Sequence, residues 1–152
     1  MNANVSFTRH GSIAEQIRRL IEGTGLSLDA ALYRFNHAEL KEALMDAVRR
    51  DVSVRLVLDR RKYEEDPVTR DLLIAPGIPY RLSGGRSGKS SKMHHKFVIL
   101  DARIALTGSY NWTTESEETN YDNLITLHEP EVVTAYQQEF ELLWGEASAP
   151  DE

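Results

Sequence analysis

Between Val5 and Trp144 the chain alternates short segments of strand period with longer segments of helix period. Few architectures hide both kinds of apolar face, and one central sheet covered by helices is the simplest of them. Val5–Phe7, Leu28–Phe35, Val52–Leu58, Ile78–Leu82, His94–Leu100, Ile104–Leu106 and Tyr121–Leu127 read as strands, the fifth and sixth as a hairpin. Ile13, Ile17, Leu20 and Ile21 share one helix face, which Gly23 and Gly25 end. A second helix carries Leu40, Leu44 and Val48 behind an Asn36/Glu39 capping box, and a last one aligns Val133, Tyr136, Phe140 and Leu143. Pro67–Leu73 is a short helix, Pro76–Gly77 a turn, and Ser83–Lys92 a mobile loop rich in Gly, Ser and Lys. No repeat or linker divides the chain, so the expectation is a single α/β domain over 1–145 with a flexible tail at 146–152.

Within that frame one segment carries chemistry. Met93-His-His-Lys-Phe-Val-Ile-Leu-Asp101 contains His94, Lys96 and Asp101 in the spacing His-x-Lys-x4-Asp. Alternation along a strand puts His94 and Lys96 on one face and turns His95 and Asp101 away. An imidazole beside a fixed positive charge suits attack on a phosphodiester. Gly108-Ser109-Tyr110-Asn111 then gives a tight turn whose Asn111 amide can bond a phosphate oxygen, and Asn120-x-Asp122-Asn123 opens the next strand.

Other motifs carry less. Gly84–Ser90 imitates a phosphate-binding loop but lacks its glycine spacing and leads into a strand rather than a helix. His94 and His95 cannot chelate one ion from opposite faces of a strand, so neither a metal nor a cofactor is expected. With no cysteine, disulfides and thiolate sites are excluded.

The formal charge of −6 argues against a nucleic-acid partner until its distribution is considered. Arg60 to Lys96 holds nine Lys/Arg against four Asp/Glu, and no Lys or Arg follows Arg103. A basic stretch running into His94 can attract a phosphate backbone. Arg81, Arg86, Lys89 and Lys92 are the candidate contacts there. Tyr110 and Trp112, beside Asn111, are candidates to stack on bases, with the core as the equal alternative. Met1–His10 has no apolar segment of signal-peptide type and no run reaches membrane-span length, so the expectation is cytoplasmic with no stable membrane association.

His94, Lys96, Asp101, Gly108, Ser109, Asn111, Asn120 and Asp122, in this order, resemble the phospholipase D superfamily, in its small single-motif endonuclease branch. Leu32-Tyr-Arg-Phe35 and Val52–Asp59 support the likeness, which runs from about Phe7 to Trp144. The resemblance implies an α/β/α sandwich with a central mixed sheet. It also implies a metal-independent phosphodiesterase working through a phosphohistidine, built from two copies of the motif around a two-fold axis. This chain holds one copy, so the resemblance implies a homodimer with the site at its interface.

Chemistry agrees, because one imidazole cannot attack phosphorus and protonate the leaving oxygen from opposite sides. By the resemblance, one His94 is nucleophile and its symmetry mate general acid. Lys96, Ser109 and Asn111 hold the phosphate oxygens, and Asp122 orients His94 where the family more usually has glutamate. Gly108, Asn120 and Asp101 are structural. DNA or RNA is the expected substrate; a phospholipid phosphodiesterase and an inactive nucleic-acid-binding module are the alternatives.

Overall fold

The computed structural model describes residues 3–74 and 77–150. Seven strands form one sheet: β1 (Ala3–Phe7), β2 (Ser27–Leu32), β3 (Ser53–Asp59), β4 (Tyr80–Ser83), β5 (Lys96–Leu100), β6 (Ile104–Gly108) and β7 (Asn123–Leu127). Their order is β1-β7-β6-β5-β2-β3-β4, with β2, β3 and β4 parallel and the other pairings antiparallel. The sheet is therefore mixed, with a βαβ half joined to an antiparallel half where β2 meets β5.

Helices cover both faces. On one side α1 (Ile13–Glu22) and α2 (Ala38–Arg49) bury Ile17, Ile21, Leu40 and Leu44 against Leu28, Ala30, Leu56 and Val98. On the other, α6 (Pro130–Glu146) lays Val133 and Phe140 over Ala31, Val57, Phe97 and Ile99. Successive residues of β2 thus serve opposite cores, which is why its run is apolar throughout. The exception is Asp29, almost fully buried under α6. Its carboxylate takes Arg55 Nε at 2.8 Å and Nη2 at 3.0 Å and Gln137 Nε2 at 2.9 Å, so the buried charge is paired and bonded. No helix among the described residues is long and apolar enough to cross a membrane.

Several boundaries differ from the sequence reading. The α2 cap is His37, whose Nδ1 accepts from Leu40 N at 3.4 Å. Asn36 is not free to cap because its side-chain oxygen accepts from Thr114 N at 3.0 Å, tying α2 to the turn after Trp112. Two short helices, α3 (Arg60–Glu65) and α5 (Thr114–Glu118), join α4 (Pro67–Ile74) as elements outside the periodic pattern. Ser83–Lys92 contains a 3-10 turn at Gly88–Ser90, and the Ser91 hydroxyl bonds the backbone of Gly84, Ser87 and Gly88 across the loop. Of the turn expected at Pro76–Gly77, Pro76 lies outside the described residues. The tail expected to be free from 146 is docked at Ser148: its backbone pairs with Leu82 through bonds of 2.8 and 3.0 Å, extending the β4 edge. Residues 151–152 lie outside the described residues.

Candidate active site

His94 lies two residues before the first residue of β5 and is pinned from both sides. Upstream, Met93 N donates to the buried Asp59 carboxylate at 2.9 Å; downstream, His95 O accepts from Tyr33 N at 2.9 Å. Leu32 pairs in register with Lys96, so the chain leaving β2 brings Tyr33 against the motif. The Tyr33 ring sits 4.5 Å from the His94 ring, and Lys96 Nζ lies 5.3 Å from the Tyr33 centroid. Lys96 Nζ donates to His94 O at 3.0 Å and stands 3.5 Å from His94 Nδ1. His95 faces the opposite side, against Phe97 and 3.1 Å from Glu139. Strand parity separated the two histidines as expected.

Burial, then the ammonium groups of Lys96 and Lys92, holds the His94 imidazole below its ordinary pKa. The neutral, nucleophilic form is therefore favoured at neutral pH. Burial also lowers Lys96, against the opposing charge of Asp122.

The second half of the site is a turn held by backbone geometry. Gly108 closes β6 at φ 144°, where a Cβ would lie 2.3 Å from Asn123 O. Beyond it, Ser109 Oγ donates to Asp122 Oδ1 at 2.7 Å and accepts from Asn123 N at 3.1 Å, while Asn111 N donates to Ser116 Oγ at 3.2 Å. Among the described residues, Asn111 Oδ1 and Asp122 Oδ2 are buried without a hydrogen-bond partner. Asn120 holds its loop through its backbone, its N–H on Glu115 O and its carbonyl taking the Thr8 hydroxyl at 2.8 Å. The expected contact of Asp122 with His94 is replaced by the contact with Ser109. Aspartate, one methylene shorter than glutamate, has Ser109 for its nearest donor.

Three residues expected to contact nucleic acid are engaged within the fold instead. Trp112 is 2 % exposed and packs edge-on against Phe35, and Tyr110 is buried with its hydroxyl on Glu117 at 2.9 Å. Both are core, so neither can stack on a base. Arg81 donates to Trp144 O at 2.8 Å and lies over the Trp144 indole, anchoring α6 to β4. Arg86 and Lys92 instead line an open cleft of about 410 Å³ with His94 and His95. For Lys89 the side chain lies outside what is described.

Asp101 ties the backbone together, though strand parity is not what turns it away, because β5 ends at Leu100 and Asp101 lies in the turn that follows. With Ala102 it forms the β5–β6 turn, both at positive φ (55° and 52°), a conformation aspartate tolerates. Its carboxylate receives Gly25 N at 3.1 Å, Leu26 N at 2.7 Å and Ser27 N at 3.0 Å. Burial opposes ionisation there, but the three N–H groups outweigh it and hold the carboxyl below its usual range. A depressed folded-state pKa means stability that is complete above the unfolded value and lost as pH falls through the folded one. Asp101→Asn presents an NH2 to one of these donors and is expected to cost about 1–2 kcal/mol. It should also flatten the acid limb of stability, both read by urea denaturation from pH 7 down to pH 3. Turnover per folded molecule should persist; a stable variant with no activity would contradict the structural assignment.

Sequence reasoning missed Tyr33, because its importance rests on β2 pairing with a strand more than sixty residues away. Its ring limits the rotamers of His94. Tyr33→Leu is expected to lower kcat about tenfold with little change in KM, while Tyr33→Phe, which keeps the ring, retains activity. In the leucine variant the His94 Cε1 proton resonance should lose its ring-current displacement.

The mixed seven-stranded sheet between helical layers, with His94 and Lys96 at the end of β5 beside the Gly108–Asn111 turn, is a phospholipase D-like fold. It superposes on the phospholipase D family member Nuc from Salmonella typhimurium with a TM-score of 0.86 at 24 % identity, over 96 % of this chain and 95 % of that one. NucT from Helicobacter pylori gives 0.85 at 20 % identity, over 97 % and 99 %. In sequence, residues 17–144 match the family described as cardiolipin synthase, PLD-like domain. The mitochondrial cardiolipin hydrolase of Xenopus laevis is 36 % identical over 130 residues, 82 % of this chain and 57 % of the relative. The zebrafish (Danio rerio) protein of that name is 35 % identical over 144 residues, 93 % and 61 % of the two chains. The chain belongs to the phospholipase D-like family, and it spans little more than half the length of these curated relatives.

Proposed function

We propose that this chain hydrolyses phosphodiester bonds of nucleic acid through a phosphohistidine, in a site completed by a second copy of itself. The observation that carries this reading is the placement of His94, its ring 4.5 Å from Tyr33 and its Nδ1 3.5 Å from the Lys96 ammonium, with burial and that charge lowering its pKa. One such imidazole serves as nucleophile. Its mate, on the far side of an in-line displacement, serves as acid, and the two titrate as a coupled pair. Lys96 and Asn111 of both copies stabilise the charge that develops on the phosphate oxygens. Asn111 Oδ1 and Asp122 Oδ2, buried acceptors without partners in one chain, support a site finished by groups from outside it.

Glu139 and Glu146 share the cleft with Arg86 and Lys92, so the support for a polyanionic substrate comes from the ammonium groups of Lys62, Lys92 and Lys96 around the Tyr33 ring beside His94. A phospholipid substrate is the second reading. It is favoured by the names of the curated relatives and by Phe7 and Tyr121, 47 % and 82 % exposed, which share a recess with Asp122. Purified protein is incubated in excess EDTA with single-stranded DNA, duplex DNA, RNA and cardiolipin vesicles, with His94→Ala in parallel. Cleavage of nucleic acid that survives chelation and disappears in the variant is expected. Cleavage abolished by EDTA would refute the metal-free mechanism, and turnover of vesicles alone would establish the lipid reading.

A further inference from the structure

Tyr33 gathers more charge than one scissile phosphate requires. Besides Lys96, the ammonium of Lys62 lies 5.7 Å and that of Lys92 6.0 Å from the centroid of the same ring. They come from separate elements: Lys62 from α3, Lys92 from the loop before His94, and Lys96 from β5. Each placement is built. The buried Asp59 caps α3 by accepting from Lys62 N at 3.0 Å, and the same carboxylate takes Met93 N, the residue after Lys92. One carboxylate thus fixes the backbone at both lysines. Gly85, at φ 82° with Lys92 N 2.5 Å from where its Cβ would be, lets the loop close over this backbone.

Three ammonium groups around one ring repel each other, and the ring's negative face compensates only in part. Lys62 has an exposed ion pair with Glu65 at 3.5 Å, and Lys96 feels Asp122. Lys92 has no carboxylate in ion-pair range among the described residues. Because each ammonium is within about 6 Å of one centroid, all three fall within reach of one or two nucleotides. A group carrying negative charge on several oxygens would relieve the repulsion where a neutral one would not.

We propose that Lys62 and Lys92, gathered with Lys96 around the Tyr33 ring, form a second phosphate subsite, which binds the phosphate adjacent to the scissile one in a nucleic-acid strand. This rests on the reading above and adds to it a preference for substrates with at least two neighbouring phosphates.

The test compares thymidine dinucleotides that differ by one phosphate: TpT, pTpT and TpTp. The wild-type chain should cleave pTpT or TpTp with kcat/KM at least tenfold above TpT. In the Lys62→Ala/Lys92→Ala double variant that ratio should collapse to within threefold of one, with circular dichroism unchanged. Because Lys92 also depresses the His94 imidazole, each ratio is taken on the plateau of the pH profile. Lys62→Arg/Lys92→Arg, which keeps both charges, should retain most of the preference.

Equal kcat/KM for all three substrates in the wild-type chain, or a preference that survives the double alanine variant, would overturn the subsite. A lysine-dependent preference for cardiolipin over phosphatidylglycerol, with none among the dinucleotides, would overturn the nucleic-acid assignment. Failure to cleave any dinucleotide or single-stranded DNA would instead refute the nucleic-acid reading on which the subsite rests.

Discussion

His94→Ala is expected to abolish phosphodiester hydrolysis, lowering kcat by at least about 10⁴-fold, equivalent to ~5.5 kcal/mol in the barrier. The loss should exceed that from any other single substitution because in the proposed two-fold site it would remove nucleophile and general acid together. Stability should be nearly untouched: the backbone around His94 is held by Asp59 and Tyr33 through its neighbours' peptide groups, not through the imidazole. Mixing provides a sharper measurement. Dimers of one His94→Ala chain and one wild-type chain keep a single imidazole, so activity should fall as the square of the wild-type fraction. A linear fall would mean that each chain works alone.

In the proposed mechanism the same residue should set the acid limb of the pH profile. Burial and two ammonium groups lower its pKa, so turnover should persist below the ordinary histidine range before protonation removes the nucleophile. Lys92→Ala deletes one of those charges, makes protonation easier and should move the acid limb to higher pH.

Gly108→Ala is expected to produce the largest loss of stability, about 3–4 kcal/mol, with a matching fall in the fraction of active molecules. Two costs combine. At φ 144° a side chain is strained whatever the space around it, and here the new Cβ would stand 2.3 Å from Asn123 O. The strand that must move is β7, paired with β6 from Gly108 opposite Leu124, and its displacement would carry Asp122 and Ser109 apart. Chemical denaturation should show the loss. Crystals of any folded fraction should show β6 and β7 separated at this end. A variant as stable as the parent would refute the close packing described.

Much of this was legible in the chain, for physical reasons that differ by element. The separation of His94 from His95 follows from two-residue alternation, which needs no tertiary information, whereas the Asp101 carboxylate is aimed by the positive-φ turn after β5. The sheet and the three long helices follow from period. The helices α3 and α5 did not, because six and five residues cannot express an amphipathic repeat. Their starts are fixed by the side chains of Asp59 and Thr113, and no apolar stripe announces them. Trp112 was open to two readings because its burial depends on Phe35, which lies beyond the end of β2 and far from Trp112 in sequence. Tyr33 and Lys62 escaped notice for a similar reason. Neither is near His94 in sequence, and only the pairing of β2 with β5 and the Asp59 cap bring them together.

The Asp101 carboxylate spans 74 to 76 residues of chain to reach the amides at the start of β2. A bond across so long a loop cannot reward the chain until the βαβ half and the β5–β6 hairpin have each formed and met. It therefore belongs to the last stage of folding, and weakening it should leave the folding rate almost unchanged while hastening unfolding. Asp101 should then act as a latch on the lifetime of the folded state, helping to set how long the two halves of the sheet stay joined rather than how quickly they find each other.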